Sequence, residues 1–87
     1  RQAARRDANE GEIVRALEAV GCSVTRLSQK GVPDLLTSRN GVNYLLEVKE
    51  GKAKLTEDQE AFFAYWQGQV CVVRSVEDAL RAVGAIE

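Results

Sequence analysis

The apolar positions change period along the chain, and each change marks an element. Ile13, Val14, Leu17 and Val20 recur at the spacing of one helical face. They predict a helix capped by Asp7 or Asn9 that runs through Val20 and stops at Gly21. Extended back one turn, the stripe meets Glu10, whereas Glu12 and Glu18 fall on the outer side. Ser23 to Leu27 alternates instead and reads as a first strand. Gly31 to Lys54 reads as two strands joined at Asn40-Gly41, a dipeptide suited to a two-residue hairpin turn because both positions accept positive φ. Gly51 to Leu55 is expected to be a flexible basic connector. Thr56-Glu57-Asp58-Gln59 then fits a capping box, opening a helix that carries Phe62, Phe63, Tyr65 and Trp66 and ends by Gly68. Core packing is expected to use most of these rings, with any aromatic left outside a candidate for self-association. Val70 to Val73 is a short buried strand, and Ser75 caps a last helix with Val76, Leu80 and Val83 inward and Gly84 as its stop. The order is helix, three strands, helix, strand, helix. A helix between the third and fourth strands permits one parallel pairing, so this α/β chain should form a small mixed sheet flanked by helices.

The hairpin fixes a register with chemical consequences. If Asn40 and Gly41 are the loop, Arg39 faces Val42, Leu36 faces Leu45, and Asp34 falls opposite Glu47. Facing Cβ atoms are roughly 4.5 to 5.5 Å apart, and like charges so placed repel. At an effective dielectric near 20 the repulsion is about 3 kcal/mol, so two ionised carboxylates among apolar residues need a compensating charge. A divalent cation would supply it. Lys49 shares the face of Glu47, because side chains alternate along a strand. Oxygen ligands suit a hard ion such as Mg²⁺, and an ammonium nearby can orient a water or steady charge on a phosphate. The alternative is a pair of solvated strand-end acids, or one acid paired with Lys49 as a structural ion pair. Two acids and a lysine converging beside leucines would be an expensive arrangement without a function.

Pro33-Asp34 followed after a short hairpin by Glu47-Val48-Lys49 resembles the PD-(D/E)XK nuclease signature, here PD and EVK. The GVPDLL wording, short spacing and small size resemble the VRR-NUC (virus-type replication-repair nuclease) branch, which is similar in turn to Holliday-junction resolvases. The resemblance covers nearly the whole chain. It implies a restriction-endonuclease-like αβββαβ core and a Mg²⁺- or Mn²⁺-dependent, structure-selective DNA endonuclease. It also implies roles: Asp34, Glu47 and the backbone carbonyl of Val48 as metal ligands, Glu10 completing the acidic cluster directly or through water, and Lys49 positioning the nucleophile. Gln59 matches a glutamine that many such nucleases carry near the active site. Two of these residues have structural readings as well. Glu10 could close a capping box with Asp7, leaving Glu12 as the reserve acid, and Gln59 could be only a helix cap.

Composition adjusts this picture in three places. Eighty-seven residues make one small domain with one modest core. The net charge of −1 does not suggest a nucleic-acid binder. The distribution matters more: Arg1, Arg5 and Arg6 form a basic arm at the start, and Arg26, Lys30, Lys49, Lys52 and Lys54 lie around the hairpin, with Lys30, Lys52 and Lys54 as candidate phosphate contacts. The absence of His removes Ser-His and Cys-His catalysis and makes a zinc site on Cys22 and Cys71 improbable. Both cysteines read as buried free thiols. No Met is present, not even a first one, which suggests missing leading residues. No apolar run of spanning length or signal-peptide pattern occurs, so the expectation is a soluble cytoplasmic protein, bacterial or phage-encoded, without a membrane partner.

One small domain offers little surface for reading base sequence, which favours recognition of DNA shape. From the resemblance, the implied partner is branched DNA, in particular a four-way Holliday junction cut by a homodimer. A monomeric flap or branched-DNA nuclease is the alternative within nucleases. A catalytically inactive DNA-binding module of the same fold is the alternative outside them.

Overall fold

Asn40 and Gly41 take φ values of 53° and 81°, the positive pair that a tight hairpin turn requires. In the computed structural model, which describes residues 7–87, this turn joins β2 (Leu35–Arg39) to β3 (Val42–Val48). The ladder pairs Arg39 with Val42, Leu36 with Leu45 and Leu35 with Leu46, the register expected from the turn. The basic arm at residues 1–6 lies outside the described residues.

Around the hairpin stand α1 (Glu10–Ala19), β1 (Ser23–Arg26), α2 (Glu57–Tyr65), β4 (Val70–Val73) and α3 (Val76–Ala82). The sheet order is β1-β2-β3-β4, with β1, β2 and β3 antiparallel and β3 parallel to β4. This is a mixed four-stranded sheet flanked by helices, in the expected element order. Among the described residues no helix is long and apolar enough to cross a membrane.

Alternation along the strands sorts side chains between two unequal faces. Leu35, Leu46, Val48 and Val73 point toward α1 and α3 and form the core with Ile13, Val14, Leu17, Ala79 and Val83. Ile13, Leu17, Leu35 and Leu46 are fully buried there, each side chain contributing about 1.5 to 3 kcal/mol by leaving water. Leu36 and Leu45 point the other way, toward α2. That helix buries none of its own residues, so its rings are not core: Phe62 and Phe63 are half-buried, and Tyr65 and Trp66 are exposed. The aromatic run lacks the inward stripe of α1 because α2 crosses only part of its face, leaving Leu36 exposed as well.

Polar side chains tie the ends of these elements together. Arg39 donates from Nε to the Val20 carbonyl at 3.3 Å and from one terminal nitrogen to the Val83 and Gly84 carbonyls at 3.5 and 3.3 Å. One guanidinium thereby satisfies carbonyls at the C-termini of both α1 and α3, where a positive charge is favoured. The Gly51–Leu55 connector, expected to be flexible, is held in the same way: Arg74 donates to the Gly51 and Ala53 carbonyls at 2.9 and 2.8 Å. At the start of α1, Asn9 occupies the cap position without a capping side-chain bond. Its side-chain nitrogen donates instead to the Lys49 and Arg74 carbonyls, each at 3.3 Å, pinning α1 to the ends of β3 and β4. Cys22 is buried and Cys71 half-buried, both as free thiols pushed up in pKa chiefly by burial.

Candidate metal and active site

The site forms where β2 begins and β3 ends. Asp34 precedes β2 by one residue, in a bend after the buried Pro33, so its side chain is aimed by the turn as much as by the strand. The Val48 amide donates to Asp34 Oδ2 at 2.8 Å across this opening, and the Leu27 amide donates to the Asp34 carbonyl at 2.8 Å. The carboxylate is therefore fixed against the backbone of the residue that follows Glu47.

Glu47 is a buried acid, only 2% exposed. Gln59 donates from Nε2 to Glu47 Oε2 at 3.2 Å, while the other oxygen, Oε1, is buried with no hydrogen-bond donor. Burial first, and then the adjoining Asp34 carboxyl by hydrogen bond and by charge, push the Glu47 carboxyl up to about 8; the Lys49 ammonium opposes this and Asp7 adds to it. Asp34 and Glu47 thus lie near enough for the Asp34 carboxyl to be felt at Glu47.

Gln59 closes its helix cap and also touches Glu47. Its backbone amide donates to Thr56 Oγ1 at 3.3 Å and its side-chain oxygen accepts from the Thr56 amide at 2.9 Å, completing the capping box. The same side chain reaches Glu47 through its nitrogen. Lys49 is half-buried beside the pair, and its amide donates to the Val73 carbonyl at 3.1 Å, which extends the strand direction past Val48.

Glu10 lies at the first position of α1 and is buried, as the inward stripe required. Its Oε2 accepts from Arg26 Nε at 2.8 Å in an ion pair. Because Asn9 rather than Asp7 occupies the cap, the capping box that would have made Glu10 a third helical residue does not form; the Glu10 amide bonds instead to the Asp7 carbonyl at 3.1 Å. Glu12, the reserve acid, is exposed. Lys52 and Lys54 are exposed on the connector, and Lys30 is exposed in an ion pair with Asp58 at 3.4 Å.

Two neighbours are read from the sequence in other roles, Asp7 as a helix cap and Arg26 as one of the basic residues around the hairpin. Asp7 lies close enough to Glu50, Asp34 and Glu10 that their charges, after burial, raise its pKa against the pull of Lys49. Arg26 occupies the Glu10 carboxylate. Asp7 could have been assigned to the site as an acid one helical turn before Glu10, whereas nothing in the alternating strand around Arg26 marks it as the partner of Glu10.

The donor set fits a hard divalent cation. Among the described residues no group of three or more acids, His or Cys converges into a ready cage. Two adjoining carboxylates are nevertheless a sparse oxygen set of the kind that Mg²⁺ accepts, since it keeps several of its waters. The buried Oε1 of Glu47, an acceptor with no donor, is the atom such an ion would satisfy. The chain matches no family model, no curated protein and no solved structure.

Proposed function

We propose that the chain is a Mg²⁺- or Mn²⁺-dependent DNA endonuclease, with Asp34, Glu47 and the Val48 carbonyl holding the ion. The observation that carries this reading is the buried pair itself: a carboxyl pushed up to about 8, with one oxygen lacking a donor, set against a second carboxyl. Without a cation the pair cannot carry two negative charges cheaply. When bound, the ion supplies positive charge that polarises a phosphodiester and eases deprotonation of an attacking water.

The protein's own residues do the rest. The Val48 amide orients Asp34, and Gln59 holds Glu47 from the side of α2. Lys49 brings an ammonium to the face where charge accumulates on the phosphate as water adds. Glu10, bound to Arg26, assists through water. Lys52 and Lys54 lie exposed on the connector after Lys49, where they can track a phosphate backbone. The resemblance to VRR-NUC nucleases supports branched DNA, and four-way junctions cut by a homodimer, as the substrate and assembly.

Labelled flap, splayed-arm and four-way DNA incubated with and without Mg²⁺ or Mn²⁺ tests this. Metal-dependent cleavage lost in Glu47→Gln and Lys49→Ala is the expected result, and paired symmetric nicks in the four-way substrate would assign junction resolution. Cuts confined to flaps would assign the monomeric flap nuclease instead. The Arg26–Glu10 ion pair favours a second reading, a DNA-binding module of the same fold without turnover, since it occupies an acid the catalytic cluster would use. That reading requires no cleavage of any substrate and unchanged DNA affinity in both variants.

A further inference from the structure

On the face of the sheet that carries Asp34 and Glu47, an apolar groove of about 370 Å³ lies between the strands and α2. Its walls are Leu27, Val32, Leu36, Leu45, Phe62 and Trp66. Three observations distinguish it from loose packing. First, α2 buries none of its residues, yet Phe62 and Trp66 stack with centroids 5.2 Å apart and planes 19° apart, leaving Trp66 40% and Leu36 41% exposed. Second, a Cβ at Gly68 would stand 2.8 Å from Trp66 Nε1, so the missing side chain at Gly68 is what lets the indole lie against the chain there. Third, the groove continues from the acids: Leu36 and Leu45 pair across the ladder and lie two residues beyond Asp34 and Glu47 on the same face, roughly 6.6 Å along the strands.

We infer that this groove receives an unpaired nucleobase from the strand whose phosphodiester lies at Asp34 and Glu47. The inference rests on the nuclease reading for the position of the phosphate. The separation of about two residues along the strands is of the order of one nucleotide unit. Flat aromatic and leucine walls suit a base, since every base has a π-face and stacking on aromatic side chains is tolerant of sequence. Asn43 and Gln69 also line the groove. A second copy of the chain is the weaker fit: a stable dimer buries about 800 Å² on each partner, whereas this concavity is at the small end of pockets that hold single ligands. A base held here must have left its partner strand, so cleavage falls beside flaps, splayed ends and branch points rather than in continuous duplex.

Trp66 is the chain's single tryptophan, so its emission reports on the groove directly. The full chain in chelator is titrated with single-stranded oligothymidylate, with a blunt duplex of equal length and with an abasic strand, and Mn²⁺ affinity is measured in parallel. Saturable quenching by the single strand alone is expected. Phe62→Ala is expected to weaken single-strand binding about tenfold, within the range of one lost stack. Gly68→Ala keeps the indole as reporter while displacing it, and is expected to weaken binding without unfolding the helix. Equal quenching by abasic strand or duplex overturns the inference. So does emission that shifts with protein concentration and ignores oligonucleotide, which would assign the groove to a second copy. Mn²⁺ binding and cleavage without quenching would leave the nuclease reading standing and remove the groove's role; quenching without Mn²⁺ binding or cleavage would do the reverse.

Discussion

Gln59 donates to Glu47 at 3.2 Å with the same side chain whose oxygen closes the cap of α2 on Thr56. The start of a helix that contributes nothing buried to the core is thereby locked to a buried acid of the candidate site. Cap and site are one unit, and substitutions separate their contributions.

Thr56→Ala removes the cap hydroxyl without touching Glu47, and should cost about 1 kcal/mol of stability. Gln59→Ala removes the reciprocal cap bond and the donor to Glu47 together. Urea denaturation should show similar losses for the two variants, while Mn²⁺ affinity changes only in Gln59→Ala. Equal Mn²⁺ affinity in both would reduce Gln59 to a cap.

Stability without a divalent ion should fall with rising pH because of Glu47. A glutamate whose folded pKa is raised from 4.5 to about 8 binds its proton more tightly in the folded state. Its contribution to stability is complete below 4.5 and is lost as pH rises through about 8. Thermal melts in chelator should therefore show Glu47→Gln gaining on wild type across that window, with the two nearly equal at its acid end. Added Mn²⁺ should restore wild type at the alkaline end and leave Glu47→Gln unmoved. Parallel pH profiles for the two proteins would show that Glu47 is not the group responsible.

Arg39 is the most consequential structural arginine. Replacing it with Ala leaves the Val20, Val83 and Gly84 carbonyls without their guanidinium and should cost about 1 to 3 kcal/mol. Arg39→Lys should recover little of this, because one ammonium cannot match a fork that reaches two helix ends. The check is chemical denaturation of both variants, and full recovery by Lys would reassign the effect to charge alone.

The sequence was most legible where a local rule had one solution. Asn40-Gly41 sets the hairpin turn, the turn sets the register, and the register carries Asp34 to Glu47; Thr56 and Gln59 set the start of α2 in the same way. It was least legible where a long side chain crosses the fold. Arg39 reaches a carbonyl 45 positions away and Arg74 one 23 away, and neither periodicity nor spacing encodes such a reach. Arg26 and Glu10 meet for the same reason, through the packing of α1 on the sheet. The aromatic residues of α2 misled because apolar character was read as burial, whereas the sheet face beneath them is only partly covered.

Calorimetric titration of Mn²⁺ into wild type, Asp34→Asn and Glu47→Gln at neutral pH bears most directly on the acid pair as a cation site. Saturable binding to wild type, weakened about tenfold or more by either substitution, is the predicted result. Three superimposable isotherms, or no binding to wild type, would contradict it.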